Sequence, residues 1–342
     1  MSRTAVVVYN LGGPDSPDAI QPFLFNLFSD PLILRQIAPV RWLLAKFISS
    51  RRAPVAKEIY ARIGGRSPIR EETQAQVDAL EKTLNTDGDF KVFMAMRYWH
   101  PFAEECLDDV VAYAPDEIIL LPLYPQFSTT TTESFLRVWN SLVQHREIKT
   151  PTTSICCYPK EEGFINSVAE LTRVSIDKAG GLSANPKVLF SAHGIPKKFV
   201  ETGDPYQSHI EMTVDAIVKS LAIQDLDYVV CYQSRVGPVE WLKPYTDHVI
   251  MEFSAQGRPI VVVPVAFVSE HSETLVELDM EYRDLALENG ASTYVRTPTV
   301  GIRDGFVEGL ATLVRKSLGK NSVISSVGSK ICDQSCISCP LR

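Results

Sequence analysis

Eight short apolar runs rich in β-branched residues, with amphipathic stretches between them, constrain this chain more than any other feature. Four lie in the first half, at Ala5–Tyr9, Val92–Tyr98, Ile118–Tyr124 and Thr153–Tyr158. Four lie in the second, at Val188–Ala192, Tyr228–Gln233, Ile260–Phe267 and Thr293–Arg296. Runs without polar alternation predict parallel strands buried on both faces. Helical periodicity at Ser67–Leu84, Ala103–Tyr113, Glu162–Lys178, Tyr206–Leu221 and Glu270–Glu288 supplies the covering helices. Such alternation makes βαβ units and an α/β fold. The chain has 342 residues. One core rarely grows past ~250–300 residues, so two sets of four strands predict two doubly wound domains. The segment Ala179–Pro186, AGGLSANP, reads as their linker. The expected division is 1–180, 187–320 and a cysteine-rich tail at 321–342.

The net charge of −7 argues against a nucleic-acid partner, which needs clustered Lys and Arg. Seven cysteines are unevenly placed. Cys106 and Cys231 stand alone, Cys156 and Cys157 are adjacent, and Cys332, Cys336 and Cys339 crowd the C-terminus. That pattern suits a reducing compartment and one metal-binding cluster, not a disulfide framework. The start, MSRTAVVVYNLGG, has neither a signal h-region nor transit-peptide character. No apolar run reaches the roughly 18 residues of a spanning helix, so a cytoplasmic protein is expected.

In open α/β sheets ligands bind beyond the carboxyl ends of the strands. The segments 10–14, 97–100, 124–132, 193–196, 233–238 and 267–273 therefore carry the candidate chemistry, and a cleft lined by them is the expected site. Standard phosphate-binding and nucleophile-elbow loops are absent. Gly12–Gly13 reads as a tight turn more than as an anion cradle. His193 ends a buried run and is a candidate general base or metal ligand, or a hydrogen-bonded structural histidine. Glu273, Glu277 and Glu281 recur every four residues, after Glu270 and His271 and around Asp279. On an α-helix they share a slowly drifting face, and a π-bulge aligns them better. Like charges at this spacing cost a few tenths of a kcal/mol, which suggests a cation nearby, a solvated acidic face being the plain alternative. Three tail thiolates within eight residues suit a soft metal or cluster that needs a fourth ligand, zinc or [2Fe–2S]. Pro22–Pro54 is a buried helix pair, or an apolar lip facing an amphiphilic ligand or a bilayer.

Taken in order, NLGGP (Asn10–Pro14), RRAP (Arg51–Pro54), Tyr60-x-x-IGGRSP, MRYWHP (Met96–Pro101), LYPQFS (Leu123–Ser128), FSAHGIP (Phe190–Pro196), GDPY (Gly203–Tyr206), YQSRVGPVEWL (Tyr232–Leu242) and PVAFVSEHSETLVELDMEY (Pro264–Tyr282) resemble the ferrochelatase family. That resemblance implies two Rossmann-like domains, each with a four-stranded parallel sheet flanked by helices. It implies insertion of Fe²⁺ into protoporphyrin IX to give protohaem, with release of two protons. Carried over residue by residue, His193 and Glu273 are the catalytic pair. His271, with Glu277 and Glu281, matches the acidic line leading from the site; His193, Glu273, Glu277 and Glu281 handle the Fe²⁺ substrate, and His271 counts among the substrate-binding residues. Leu11, Arg97, Tyr98 and Phe267 pack around the porphyrin face. Arg52, Tyr60 and Ser67 stand near the propionates. Tyr124, Gln233, Ser234 and Trp241 complete the pocket, and Leu27 and Phe28 belong to a lip that meets the membrane.

Some members of the family hold a [2Fe–2S] cluster through three C-terminal cysteines and one from mid-chain. The tail here is C-x3-C-x2-C where animal members have C-x2-C-x4-C, and Thr129 follows LYPQFS where they have Cys. Cys332, Cys336 and Cys339 are then the tail ligands, with Cys157 as the fourth and Cys156 its rival. Adjacent strand residues point oppositely, so only one of those two should reach the cluster. The resemblance further implies peripheral contact with the inner membrane, and a homodimer, since cluster-bearing relatives often pair. A chelatase for another metal or tetrapyrrole, coproporphyrin included, and a non-catalytic haem or metal carrier are the competing readings.

Overall fold

The structure is a computed structural model that describes residues 2–341. In chain order the strands are β1 Arg3–Asn10, β2 Asp89–Met96, β3 Glu117–Pro122, β4 Thr152–Ile155, β5 Lys187–His193, β6 Tyr228–Gln233, β7 Ile260–Pro264, β8 Tyr294–Arg296 and β9 Val323–Ile324. The α-helices are α1 Ile20–Phe28, α2 Ala38–Ala61, α3 Ile69–Leu84, α4 Ala103–Tyr113, α5 Thr132–His145, α6 Glu162–Lys178, α7 Lys197–Glu201, α8 Tyr206–Leu221, α9 Thr246–Ser254, α10 Tyr282–Glu288 and α11 Asp304–Ser317. A π-helix, Glu273–Glu281, runs directly into α10.

The chain forms two compact units, one of residues 2–157 with 310–330, the other of 158–309 with 331–340. The division therefore falls ahead of α6, not at the AGGLSANP segment. The physical reason is that α6 packs on α8, a helix of the second unit. The tail 331–340 is likewise part of the second unit and not a separate appendage.

In the first unit the sheet order is β2-β1-β3-β4-β9, parallel throughout. A four-stranded sheet was expected; the two-residue β9 adds a fifth strand at the β4 edge. It is too short to leave a periodic signal. β1 lies between β2 and β3, and Ala5–Tyr9 are at most 1% exposed, which is why this run carries no polar alternation. On one face Tyr9 stacks on Phe135 at 4.0 Å, and Leu107, Val110 and Trp139 fill the layer beside it. Full burial of each such side chain stabilises by about 1.5–3 kcal/mol.

The second unit has the order β6-β5-β7-β8, also parallel, the expected four strands. Its core joins Leu189, Ile250, Val262, Leu278 and Ala286. Register pairs His193 with Gln233 where β5 and β6 end, so two polar side chains leave the sheet side by side at its carboxyl edge. Strands β2, β3, β4 and β7 stop two or three residues before the apolar runs do. Tyr98, Tyr124, Tyr158 and Phe267 thus lie in the loops that follow.

α2 packs on α1, and its buried residues are Ala45, Ser49, Ala53 and Tyr60. Its other side leaves Trp42 50%, Leu43 61% and Phe47 59% exposed. The buried helix pair is thus present, and α2 also leaves an apolar face exposed. Among the described residues no helix is long and apolar enough to cross a membrane.

Candidate active site

His193 is the last residue of β5. Every other residue of that strand is buried, and only its terminal imidazole is partly open. Tyr206, the first residue of α8, donates its hydroxyl to the His193 carbonyl at 2.9 Å and so fixes the backbone there. Trp241 sets its ring edge-to-face with the imidazole at 6.5 Å, held by its indole N–H on the Val236 carbonyl at 3.0 Å.

The acidic row descends on the π-helix. Glu273 Oε2 lies 2.9 Å from His193 Nδ1. Ser234, just past β6, donates its N–H to Glu277 Oε1 at 2.9 Å. Its hydroxyl is hydrogen-bonded to Glu277 Oε2 and stands 3.4 Å from Glu273 Oε2. Gln233 Nε2 reaches Glu277 Oε2 at 3.3 Å, while its Oε1 accepts from Ser191 at 2.8 Å. Tyr282 donates its hydroxyl to Glu277 Oε1 at 3.0 Å. One serine thus links two carboxylates, and it does so from a left-handed conformation with φ +63°. A non-glycine residue there costs of order 1 kcal/mol.

The charge pattern follows from these contacts. Burial favours neutral His193, but the Glu273 charge, its hydrogen bond and Glu277 outweigh burial and raise the imidazole above its ordinary value. Burial also opposes the Glu273 charge, yet His193, with His271 and Ser234, holds that carboxyl well below the usual range. Burial and the Glu273 charge push Glu277 up, against Ser234, His193 and Tyr282. Burial lowers His271, which lies 4.0 Å from Glu273 and stacks edge-on against Phe267 at 4.4 Å. The result is an imidazole of raised proton affinity against a carboxylate that holds its charge, beside a second carboxylate whose proton affinity is also raised. Glu281, the third of the row, is exposed.

In the first unit, Leu11, Leu27 and Phe28 border a cluster made by Phe23, Leu24, Tyr60 and Tyr98. Ser67 is buried, its N–H donating to the Pro14 carbonyl at 2.8 Å. Gly13 passes so close that a Cβ there would stand 2.6 Å from the Ser67 side chain, which identifies Gly12–Gly13 as a packed turn. Arg97 donates to Asp30 at 2.8 Å and to Ser134 at 2.7 Å. Tyr98 is 0% exposed and gives its hydroxyl to Asp30 at 2.8 Å, so it presents no surface to a ligand. Tyr124 is partly buried and stacks edge-on against Tyr9. Arg52 is exposed over the Phe28 ring.

Among the described residues no three His, Cys, Asp or Glu side chains are gathered as a ready metal cage. The tail thiols are nonetheless turned inward: Cys332, Cys336 and Cys339 are 8%, 5% and 2% exposed while Ile337 between them is 61% exposed. Three thiols withdrawn together within eight residues are a donor set of the soft kind. The rule that Cys156 and Cys157 point oppositely fails. β4 ends at Ile155, both residues follow it, and their Sγ atoms are 3.4 Å apart.

Four residues were not singled out from sequence: Tyr206, Tyr282, Asp30 and Ser134. Tyr206 closes the GDPY motif. Tyr282 lies five positions after Glu277, the hydrogen-bond period of a π-helix. Asp30 and Ser134 carry no local signal.

The ferrochelatase family profile matches residues 3–318. A ferrochelatase of Pelagibacter ubique is 47% identical over 317 residues, 92% of this chain and 91% of that protein. One of Caulobacter vibrioides is 46% identical over 344 aligned residues, 99% of this chain and 98% of that protein. Among solved structures, SirB from Bacillus subtilis with Fe³⁺ aligns with a TM-score of 0.53 at 11% identity, over 93% of this chain and 96% of SirB. At that identity the likeness concerns the fold alone.

Proposed function

Because the chain belongs to the ferrochelatase family, we propose that it inserts Fe²⁺ into protoporphyrin IX, giving protohaem and two protons in the last step of haem synthesis. The observation that carries the assignment of roles is the His193–Glu273 pair at the carboxyl edge of the second sheet, 2.9 Å apart.

Metallation replaces two pyrrole N–H protons by the metal. Neutral His193 accepts one of them. Its imidazolium is stabilised by Glu273, which is why the same contact raises its affinity for a proton. Ionised Glu277 is the acceptor for the second, since burial and the Glu273 charge raise its proton affinity. The Ser234 hydroxyl, touching both carboxylates, links Glu277 to the Glu273 that supports His193. Glu281, on the exposed side, continues the acidic line to solvent and gives Fe²⁺ an attractive approach. Tight packing of a flat macrocycle exposes its inward-pointing nitrogens by buckling it. On the family resemblance, Leu11, Tyr60, Ser67, Arg97 and Tyr124 of the first unit, and Trp241 and Phe267 of the second, are each proposed as porphyrin-binding residues. Tyr98, which has no exposed surface, acts with Asp30 to orient Arg97.

The inward-turned tail thiols fit a [2Fe–2S] cluster on Cys332, Cys336 and Cys339, with the fourth thiolate from Cys157 or its neighbour Cys156. Such a cluster would stabilise the fold. The exposed Trp42, Leu43 and Phe47, beside Arg41, Lys46 and Arg51, support peripheral contact with an anionic inner-membrane surface. A homodimer is proposed on the family resemblance, and light scattering decides it.

The deciding experiment is an anaerobic metallation assay with Fe²⁺ and protoporphyrin on the wild type and on His193→Ala. Haem formation with kcat reduced far more than porphyrin affinity is the expected result. Near-normal turnover by His193→Ala would contradict the role of this residue. Tight product binding without turnover in the wild type would point to a carrier.

A further inference from the structure

The GDPY motif does more than start a helix. Gly203 has φ +94°, and a Cβ on it would stand 2.3 Å from Ile337 Cγ1 and 2.9 Å from the Ile337 backbone nitrogen. The Gly203 carbonyl accepts the Ser338 N–H at 3.1 Å. The tail is thus laid against bare backbone where no other residue leaves room. Just ahead of α8, Asp204 accepts the Tyr206 N–H at 3.0 Å. On the first turn of α8 stands His209, 0% exposed, with Nε2 3.0 Å from Cys332 Sγ. Two independent contacts, one to backbone and one to sulfur, therefore seat the segment that carries all three tail cysteines. Both lie within the second unit.

We propose that Gly203 and His209 form the seat of the cysteine tail, with His209 a positioning residue whose ring N–H donates to the Cys332 sulfur when that sulfur ligates a metal cluster. This rests on the cluster reading above and deepens it. Four thiolates already satisfy the ligand count, so the imidazole acts on the sulfur. An N–H to a ligating sulfur orients it, slows its loss and favours the more reduced cluster.

The test uses the full chain purified anaerobically, or reconstituted with iron and sulfide. Iron, acid-labile sulfide and the visible spectrum are measured first. Wild type, His209→Leu, His209→Gln and Gly203→Ala are then compared for the rate at which an iron chelator bleaches the cluster, for midpoint potential by dye titration, and for fold by circular dichroism. Removal of an outer hydrogen bond to a metal ligand costs roughly ten- to a hundredfold in metal affinity. His209→Leu should bleach faster by about that factor, at a lower potential, and His209→Gln, which keeps an N–H at similar reach, should recover most of the difference. Gly203→Ala should bleach faster as well, and in the metal-free protein it should speed alkylation of the tail thiols. A wild type that takes up neither iron nor sulfide overturns the cluster reading and this proposal with it. A wild type that holds a cluster while His209→Leu keeps its rate and potential overturns this proposal alone. Should His209→Leu fold but load no cluster, recovery by His209→Gln supports the proposal and failure to recover overturns it.

Discussion

Replacing Glu273 by Gln tests the proton-transfer geometry with little change of shape. The substitution removes a full charge 2.9 Å from His193 Nδ1 and keeps a hydrogen-bonding group in its place. A hydrogen bond to a charged group is worth about 1.5–3 kcal/mol. The side chains are 36% and 27% exposed, so solvent screening takes the lower end of that range. About 1.4 kcal/mol corresponds to one pH unit in the imidazole equilibrium. His193 is raised only because Glu273, with Glu277, outweighs burial, so without Glu273 it falls. The acid limb of kcat/KM, where His193 becomes protonated and cannot accept, should move about one pH unit lower. Above that limb kcat should drop about tenfold, because the imidazolium formed in the transition state loses the same support. Glu277 also falls once the Glu273 charge is gone, so the pair Glu277→Gln and Glu273→Gln/Glu277→Gln isolates the His193 limb. The assay is anaerobic haem formation followed by absorbance across the neutral range, with porphyrin affinity from fluorescence quenching. An acid limb that stays in place or rises, or an affinity loss as large as the loss in kcat, would refute the reasoning.

Ser234→Ala removes the hydroxyl that joins Glu273 and Glu277 while leaving the backbone N–H on Glu277; kcat should fall about tenfold with porphyrin affinity unchanged, as expected of a lost charge-assisted hydrogen bond of about 1.4 kcal/mol. Arg296→Met strands Glu270, which accepts from Arg296 at 2.8 Å and from the Thr299 N–H at 3.0 Å; breaking such a buried pair should cost about 3 kcal/mol in denaturant unfolding. Burial opposes the Glu270 charge, but Arg296 and the hydrogen bonds hold the carboxyl below its ordinary value. Its contribution is therefore present above the unfolded-state value and lost as pH falls through the folded-state value, so the wild-type advantage over Arg296→Met should shrink in acid. Trp42→Ser with Phe47→Ser should weaken binding to anionic vesicles by tenfold or more, at about 1 kcal/mol per half-buried side chain, without altering turnover in detergent.

What the sequence made legible and what it hid divide along a physical line. β1 and β5 were readable because a strand buried on both faces has no alternation to confuse with a helix, and His193 was readable because a polar residue ending such a strand must leave the sheet at its edge. The carboxylate row was readable by its spacing, and the π-helix is the geometry that spacing favours. Elements whose stability is tertiary were not legible. β9 has two residues and exists because β4 presents an edge. The division ahead of α6 depends on packing against α8, which no local composition announces. The Cys156–Cys157 pair was misjudged because strand geometry was extended two residues past Ile155, into a loop that has no such rule. Asp30 was invisible for a related reason: it is a single acid at a helix end, and only the fold brings Arg97, Tyr98 and Ser134 to it across 67, 68 and 104 positions. Periodicity reports the side chains that must hide from water. The groups that tune the site are set by non-local hydrogen bonds, and Tyr206 shows the difference, since its place in GDPY marks a turn while its hydroxyl reaches back 13 positions to hold the carbonyl of His193.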